Sequence, residues 1–523
     1  MTSLCVPLTA DNCQAMAEQI AQATRLGADM VELRLDHLRE PSLDAVRALM
    51  DRAGHFSVDV LMTCRLAEEG GNFTGSEEQR VRLFEAAALV GGDYIDVELA
   101  AWRRSALLRD RVDALRLGRD PSRPLKLILS RHDFEKTPPD LLNILEDMAR
   151  EPCDVVKLAT KAESIVDSLR VLDALRESAG KRPTIALAMG EAGIPTRVLA
   201  RKLGAMLTFA SLEAGKESAP GQVTAADMLG LYRWNSIGPA TAVYGVIGCP
   251  VGHSMSPAIF NAAFTAAGCD AVYLPLRIEP PYEDFAAFID GCLSRPWLNL
   301  SGCSVTIPHK ENLLRYVAEH GGTVEPLAKR IGAANTLHVQ TGEPSLGACN
   351  TDYRGAMDAL CAGICCTREE LGRLSVAVLG AGGVSRAIVA GLRDCGCRVT
   401  IYNRTFERAR TLAAEFGAEA RPLNQAADHE ADIIINGTSI GMWPNVDDTP
   451  LPADALLGKP VVFDTIYNPI ETRLLREARL RGCRTVDGVS MFVNQAAAQF
   501  ERWIGRPAPV DILRDVLLRR LGR

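Results

Sequence analysis

Between Ser3 and about Glu213 one unit recurs eight times: a short apolar or β-branched run, a loop, then an amphipathic helical stretch. The runs are Leu4–Leu8, Met30–Asp36, Val58–Arg65, Tyr94–Leu99, Leu125–His132, Val155–Thr160, Thr184–Met189 and Leu207–Leu212. Strands alternating with helices form parallel sheets through right-handed crossovers. Eight such units are the count that closes a (β/α)8 barrel.

The chain continues well past that barrel. At 523 residues, and with domains of roughly 100–200 residues, it holds more than one domain. A helical stretch at Ala225–Trp234 leads into Asn235–Thr241, where the Gly238-Pro239 pair breaks the periodicity and marks a boundary. Tyr244 to about Asp352 reads as a small α/β region, and Ser375 to about Val486 as a second that opens on a glycine-rich turn. Val489–Trp503 and Val510–Leu521 read as helices.

Composition narrows the function classes. With 47% hydrophobic and 24% charged residues the chain is an ordinary globular sequence, not a disordered one. No run approaches 18 apolar residues, and Met1–Pro7 lacks the order of a signal peptide, so the expected location is cytoplasmic and no membrane role is expected. A net charge of −7 without a dense Lys/Arg block argues against nucleic acid as a partner. The 15 cysteines are scattered, apart from Cys365-Cys366 and Cys395-Gly396-Cys397, with no C-x-x-C pair; reduced thiols and no metal site are expected.

Barrel chemistry sits where strands end. In the second run Glu32 and Arg34 share one side while Leu33 and Leu35 face the covering helices, so both charges line the barrel mouth. By the same alternation Lys157 points inward, an ammonium in an apolar interior, and His132 ends the preceding strand beside it. Burial favours the neutral amine, which condenses with ketones, and histidine is the natural acid–base partner. Lysine plus histidine points to Schiff-base chemistry; a lysine neutralised by Glu32 in a polar layer is the structural alternative.

The second half places Ser254 and Ser256 between a strand and a helix, where hydroxyls and amides grip a carboxylate or simply cap the helix. Lys310 follows the strand of Gly302–Pro308, and Asp352 follows Gly347–Thr351. The run Ser375–Leu379, the turn Gly380-Ala381-Gly382-Gly383 and a helix from Val384 form a dinucleotide turn, with Ser385 in place of the third glycine. At the end of the next strand stands Asn403-Arg404-Thr405, with no carboxylate to accept the ribose hydroxyl of NAD. Arg404, helped by Asn403, Thr405 and Arg408, suits a 2′-phosphate, and NADP is the expected cofactor.

The strings Val31–Asp36, Thr63–Arg65 with Glu69–Gly71, Ser130–Asp133, Val156-Lys157 and Ser218–Gln222 resemble type I 3-dehydroquinate dehydratases in order and spacing. The resemblance implies that Lys157 forms an imine with the substrate ketone, that His132 moves the protons and that Glu69 orients it. It also implies that Glu32, Arg34, Arg65, Arg197, Ser218 and Gln222 hold the substrate. Val246–Pro257, Gly302–Lys310, Ile331–Thr336 and Gly347–Asp352 resemble shikimate dehydrogenases. There the resemblance implies a catalytic Lys310–Asp352 pair, and Ser254, Ser256, Thr306, Asn335, Thr351, Tyr467 and Gln495 as substrate contacts. It implies Gly380, Ala381, Gly382, Gly383, Val384, Asn403, Arg404, Thr405, Arg408, Thr438, Gly488 and Met491 as the NADP site. Ser304 departs from the asparagine of many bacterial relatives.

Almost the whole chain is thus similar to the bifunctional 3-dehydroquinate dehydratase/shikimate dehydrogenases of the shikimate pathway. That implies α/β folds throughout: a (β/α)8 barrel over 1–236, a substrate-binding domain over 243–352 with helices of 489–523 packing back, and a Rossmann domain over 353–488. The implied ligands are 3-dehydroquinate, 3-dehydroshikimate and shikimate, with no obligate protein partner. A quinate-specific second half, or a regulatory protein built from inactive copies, are the alternatives.

Overall fold

The computed structural model describes residues 2–39, 42–340 and 345–522. Met1 and Arg523, the outer limits of the division drawn from sequence, lie outside them. The bulk of the chain parts into two compact units between Thr241 and Ala242.

The first unit carries β1 (Ser3–Leu8), β2 (Met30–Arg34), β3 (Asp59–Thr63), β4 (Tyr94–Glu98), β5 (Lys126–Asp133), β6 (Val155–Lys161), β7 (Thr184–Met189) and β8 (Leu207–Phe209). They pair in parallel in the order β7-β6-β5-β4-β3-β2-β1-β8. β8 is only three residues long, and the Met206 N–H donates to the Thr184 carbonyl at 2.9 Å to draw it towards β7. Chain punctuation is local: Asn12 caps the helix Cys13–Leu26 by accepting from the Ala15 N–H, and Gly27 ends it at φ 93°, where an L side chain is strained. The expected helical stretch at Ala225–Trp234 is helical over 225–231 and resumes as the short turn Trp234–Ser236, because Arg233 at φ 54° breaks the run.

Period-2 alternation fills the barrel in layers. Met30, Leu61, Tyr94, Ile128, Val155, Ile185 and Leu207 make an apolar cluster inside. Two residues further along β2, β3, β4, β5 and β6 stand Glu32, Thr63, Asp96, Ser130 and Lys157, all buried. The layer around Lys157 is therefore polar on one side and apolar on the other, where Leu187 and Phe209 sit.

The chain after Thr241 forms two sheets. β9 (Ala242–Gly248), β10 (Ala271–Arg277), β11 (Leu300–Val305), β12 (Thr323–Val324), β13 (Thr336–Gln340) and β14 (Ser345–Cys349) order as β10-β9-β11-β13-β14-β12, with β13 antiparallel to β11 and β14. β15 (Ser375–Leu379), β16 (Arg398–Asn403), β17 (Glu419–Pro422), β18 (Ile433–Asn436), β19 (Val461–Asp464) and β20 (Thr485–Val486) order as β17-β16-β15-β18-β19-β20 through parallel pairs. The strand order reverses between β15 and β18, which is where open α/β sheets form their binding crevice. The helices Gly488–Ile504 and Val510–Arg520 return to the first of these sheets: Val493, Phe500, Trp503, Leu513 and Leu517 share a buried cluster with Tyr244, Ile259, Phe260 and Tyr273.

Candidate active sites

One cavity at the barrel mouth is lined by Glu32, Arg34, Arg65, Glu69, His132, Lys157, Arg197, Ser218 and Gln222, all nine of the residues picked out in this half. Lys157 Nζ lies 2.7 Å from Asp96 Oδ2, 3.9 Å from Glu32 and 4.6 Å from the centre of the Phe209 ring. The expectation of an ammonium in an apolar interior is thus corrected. Its partner is Asp96, because Asp96 and Lys157 meet in the same interior layer from strands far apart in sequence. Glu32 instead accepts from the Thr63 hydroxyl at 2.7 Å.

Asp96 also accepts from Arg65 at 2.9 Å and from the Ser130 hydroxyl at 2.6 Å. Burial raises the Asp96 carboxyl, but Arg65 and Lys157, with His132, outweigh it and hold the group far below the carboxylate range. The alternation that turns Glu32 and Arg34 inward also turns Asp96 and Glu98 inward in Tyr94-Ile95-Asp96-Val97-Glu98, and it is the sequence signal for both buried acids.

His132 Nδ1 stands 2.9 Å from Glu69 Oε2, which also accepts the His132 backbone N–H at 3.1 Å. Burial, then the charges of Arg65 and Lys157, push the imidazolium pKa well below its ordinary value, so the ring rests neutral, as a base must. Burial pushes the Glu69 carboxyl up to about 7, against the pull of Arg65.

The three arginines are not equivalent. Arg34 is held bidentately by Asp36 at 2.9 and 2.8 Å, and Arg65 is committed to Asp96, Ser130 and Glu98. Arg197 is 1% exposed, forms no ion pair among the described residues, and reaches only the Pro220 carbonyl at 3.5 Å, with its Nε unpartnered. Burial lowers it to about 10. A buried guanidinium without an anion is a receptor for one. Beside it Gln222 and Ser218 tie their own loop together, Nε2 to Oγ and Ser218 N–H to Oε1, both at 2.9 Å.

In the second unit Lys310 Nζ and Asp352 Oδ2 stand 2.5 Å apart and both are buried. Each opens a helix, Lys310–Glu319 and Asp352–Ile364. Asn335 links to Thr351 three times: its Nδ2 donates to the hydroxyl at 3.0 Å, and its Oδ1 accepts from the Thr351 N–H at 2.9 Å and from the hydroxyl at 3.2 Å. The Ser256 N–H donates to Ser254 Oγ at 3.2 Å, and Thr306 follows directly after β11. Ser304 accepts from the Tyr273 hydroxyl at 2.6 Å and donates to Gln499 Oε1 at 2.7 Å, while Gln499 Nε2 donates to the Asn335 carbonyl at 3.0 Å. The serine is thus wired to Asn335 through Gln499, which stands one helical turn after Gln495 and was not among the sequence candidates. Gln495 Nε2 donates to the Phe492 carbonyl at 3.1 Å, and the Tyr467 ring, its hydroxyl pushed up to about 12 by burial, stacks on Phe492 at 4.0 Å.

The dinucleotide turn follows β15. Gly380 takes φ 105°, and the helix Gly383–Cys395, one residue longer at its start than expected, points its N-terminus at the crevice with Ala381 and Gly382 before it and Val384 behind. Ser385 fits in place of a third glycine because its neighbour is itself glycine: a Cβ on Gly437 would lie 2.4 Å from Ser385 Oγ. A Cβ on Gly383 would lie 3.0 Å from Lys310 Cδ, so the glycine turn and the buried lysine share one close contact. Asn403 Nδ2 donates to the Thr405 carbonyl at 2.8 Å. Arg404 and Arg408 are exposed and form no ion pair among the described residues. Thr438 is held by Asn436, and Gly488 and Met491 begin the helix that runs back to the first sheet. A glycine turn, a helix N-terminus and two uncommitted arginines fit a phosphorylated dinucleotide.

Fold and sites define an α/β enzyme with two separate lysine-based centres, one in a barrel and one beside a nucleotide-binding sheet. The chain matches the family models for type I 3-dehydroquinase over residues 4–239, the shikimate dehydrogenase substrate binding domain over 246–337, shikimate/quinate 5-dehydrogenase over 366–442 and the shikimate 5′-dehydrogenase C-terminal domain over 488–518. It is 37% identical to a chloroplastic bifunctional 3-dehydroquinate dehydratase/shikimate dehydrogenase of Arabidopsis thaliana, across 98% of this chain and 84% of that one. It is 39% identical to a shikimate dehydrogenase (NADP(+)) of Moorella thermoacetica, across 54% of this chain and 95% of that one. Among solved structures, a shikimate 5-dehydrogenase of Thermus thermophilus in complex with NADP(H) and shikimate is 33% identical over 53% of this chain and 99% of its own, with a TM-score of 0.46. The chain belongs to the family of bifunctional 3-dehydroquinate dehydratase/shikimate dehydrogenases.

Proposed function

We propose that this chain dehydrates 3-dehydroquinate in its barrel and reduces the product, 3-dehydroshikimate, to shikimate with NADPH in its second half. The observation that carries the reading is a repetition: each half buries a lysine against an aspartate, at 2.7 Å beside His132 and at 2.5 Å beside the dinucleotide turn. The working division is 1–236, 243–352 with the helices of 489–523, and 353–488. The fifteen cysteines are free of disulfides, as a reducing compartment keeps them, and a cytoplasmic enzyme is the consistent assignment. Among the described residues no helix is long and apolar enough to cross a membrane.

In the barrel, Arg197 takes the substrate carboxylate, with Ser218 and Gln222 closing the loop over it and Glu32, Arg34 and Arg65 shaping the mouth. Lys157, once deprotonated, attacks the ketone carbon, and loss of water gives the imine; Asp96 stays ionised and balances the iminium charge. Neutral His132, oriented by Glu69, removes the adjacent C–H proton while the electron pair moves into the iminium to form an enamine. The enamine expels the hydroxyl, which leaves as water with the proton returned by His132, and hydrolysis frees Lys157.

In the second half, NADPH supplies the hydride. Gly380–Val384 and the helix N-terminus receive its pyrophosphate, Arg404 with Asn403, Thr405 and Arg408 receives the 2′-phosphate, and Thr438, Gly488 and Met491 border the nicotinamide. Ser254, Ser256, Thr306, Asn335, Thr351, Tyr467 and Gln495 orient the substrate. The Lys310–Asp352 pair delivers the proton to the oxygen as the ketone becomes an alcohol. Borohydride reduction in the presence of 3-dehydroquinate, followed by peptide mass spectrometry, tests the first step: an adduct on Lys157 is expected, and an adduct elsewhere contradicts the mechanism.

A further inference from the structure

Asp464 ends β19 with its side chain fully buried, and no step above uses it. Its Oδ1 accepts from Asn436 Nδ2 and from the Ile466 N–H, each at 3.1 Å, and its Oδ2 accepts from the Thr472 hydroxyl at 2.7 Å. Both side-chain partners lead to loops of the dehydrogenase site. Asn436, which faces Asp464 across the β18–β19 register, accepts from the Thr438 N–H at 3.0 Å and the Thr438 hydroxyl at 2.7 Å. Thr472 caps the helix Arg473–Leu480 by accepting from the Leu475 N–H, and so anchors the far end of the loop that carries Tyr467. The near end is pinned from the other side: the Thr465 hydroxyl donates to the Asn436 carbonyl at 2.9 Å, and a Cβ on Gly488 would lie 2.5 Å from the carbonyls of Thr465 and Ile466.

From this arrangement we propose that Asp464 is a positioning residue for the dehydrogenase: through Asn436 and Thr472 it fixes together the loop that presents Thr438 to the cofactor and the loop that presents Tyr467 to the substrate. The proposal rests on the reading of the second half as a shikimate dehydrogenase. Burial pushes the Asp464 carboxyl up to about 6 against three hydrogen bonds that lower it. A buried carboxylate without a cation partner is an unfavourable way to fill a core, and it persists where its acceptors organise a network. Two acceptor oxygens serving three donors on two loops are something no apolar residue of that volume supplies.

The test compares wild type with Asp464→Ala, Asp464→Asn and Thr472→Val in steady-state kinetics, with dehydratase activity of the same preparations as internal control. Asp464→Ala is expected to raise the KM for both NADPH and 3-dehydroshikimate about tenfold or more, with kcat at saturation within about threefold, because the groups that react are untouched. Asp464→Asn keeps Oδ1 as acceptor and turns an amide toward Thr472 Oγ, so both KM values return to within about threefold of wild type. Thr472→Val breaks only the Tyr467 side and raises the KM for 3-dehydroshikimate more than that for NADPH. Unchanged KM values in Asp464→Ala, or a loss confined to kcat, overturn the proposal. If Asp464→Ala fails to fold, Thr472→Val decides: equal or absent effects on the two KM values contradict it. A wild-type enzyme that does not oxidise NADPH with 3-dehydroshikimate removes the reading of this half instead.

Discussion

Lys157 Nζ and Asp96 Oδ2 meet at 2.7 Å in the middle of the barrel although 61 residues separate them in the chain. This contact turns a lysine that sequence alone places among apolar neighbours into one with a fixed counter-ion, and it ties dehydratase chemistry to the stability of the barrel core.

Asp96→Asn leaves Arg65 and Lys157 without their shared carboxylate. Removing one partner of such a buried network costs about 3 kcal/mol or more. The sign follows from the direction of the shift: the folded carboxyl lies below its ordinary value of 3.8, so the stability it adds is present above about pH 4 and is lost as the pH falls further. Urea unfolding at neutral pH is expected to show the full gap between wild type and variant, and at acid pH a narrower one. Dehydratase kcat is expected to fall about a hundredfold with dehydrogenase kinetics unchanged.

The Glu69–His132 pair is expected to set an acid limb for the dehydratase. With Glu69 ionised, Nδ1–H donates to it and the far ring nitrogen is the base; with Glu69 protonated, the carboxyl donates to Nδ1 and the far nitrogen carries the proton. Activity therefore falls as pH drops through about 7, the value to which burial raises Glu69. Glu69→Gln removes that titration while its amide oxygen still accepts from Nδ1–H. Its kcat/KM is expected to be about tenfold lower at neutral pH, with the limb displaced to lower pH. A limb that stays near 7 in the variant contradicts the assignment.

Gly383 leaves room for the Lys310 stem, since a Cβ there would come within 3.0 Å of Cδ. Lys310 cannot swing away without leaving Asp352, 2.5 Å from its Nζ. Gly383→Val is expected to lower dehydrogenase kcat about tenfold or more, measured at saturating substrate, with the dehydratase unaffected.

The barrel was legible because period-2 runs and helical runs alternate eight times, and each strand fixes which residues point inward. The candidate site residues stand out in the sequence because they cluster in short strings: Glu32 with Arg34, Ser254 with Ser256, Gly380 to Gly383. What the strings left out are the residues that complete those sites from elsewhere. Asp36 clamps Arg34 from two positions on, a pairing that the run Met30–Asp36 does not reveal. Asp96, Gln499 and Asp464 act through partners that only the sheet or a returning helix brings near. The division of labour among Arg34, Arg65 and Arg197 was also invisible, because commitment to a partner is a property of packing.

Cofactor preference is expected to rest on Arg404. Its loss is expected to remove one charge-assisted contact, about 1.5–3 kcal/mol, or roughly ten- to a hundredfold in kcat/KM for NADP, with little change for NAD. Kinetics with both cofactors on wild type and Arg404→Ala measure this; an unchanged NADP preference in the variant contradicts the assignment.

Two chemistries in one chain are tested most directly by supplying 3-dehydroquinate and NADPH together and following the conjugated enone absorbance alongside NADPH loss in wild type, Lys157→Ala and Lys310→Ala. The account predicts that wild type consumes NADPH, that Lys157→Ala leaves 3-dehydroquinate intact yet still reduces added 3-dehydroshikimate, and that Lys310→Ala accumulates the enone while NADPH persists. NADPH loss from 3-dehydroquinate in Lys157→Ala, or joint loss of both activities in a folded single variant, would contradict it.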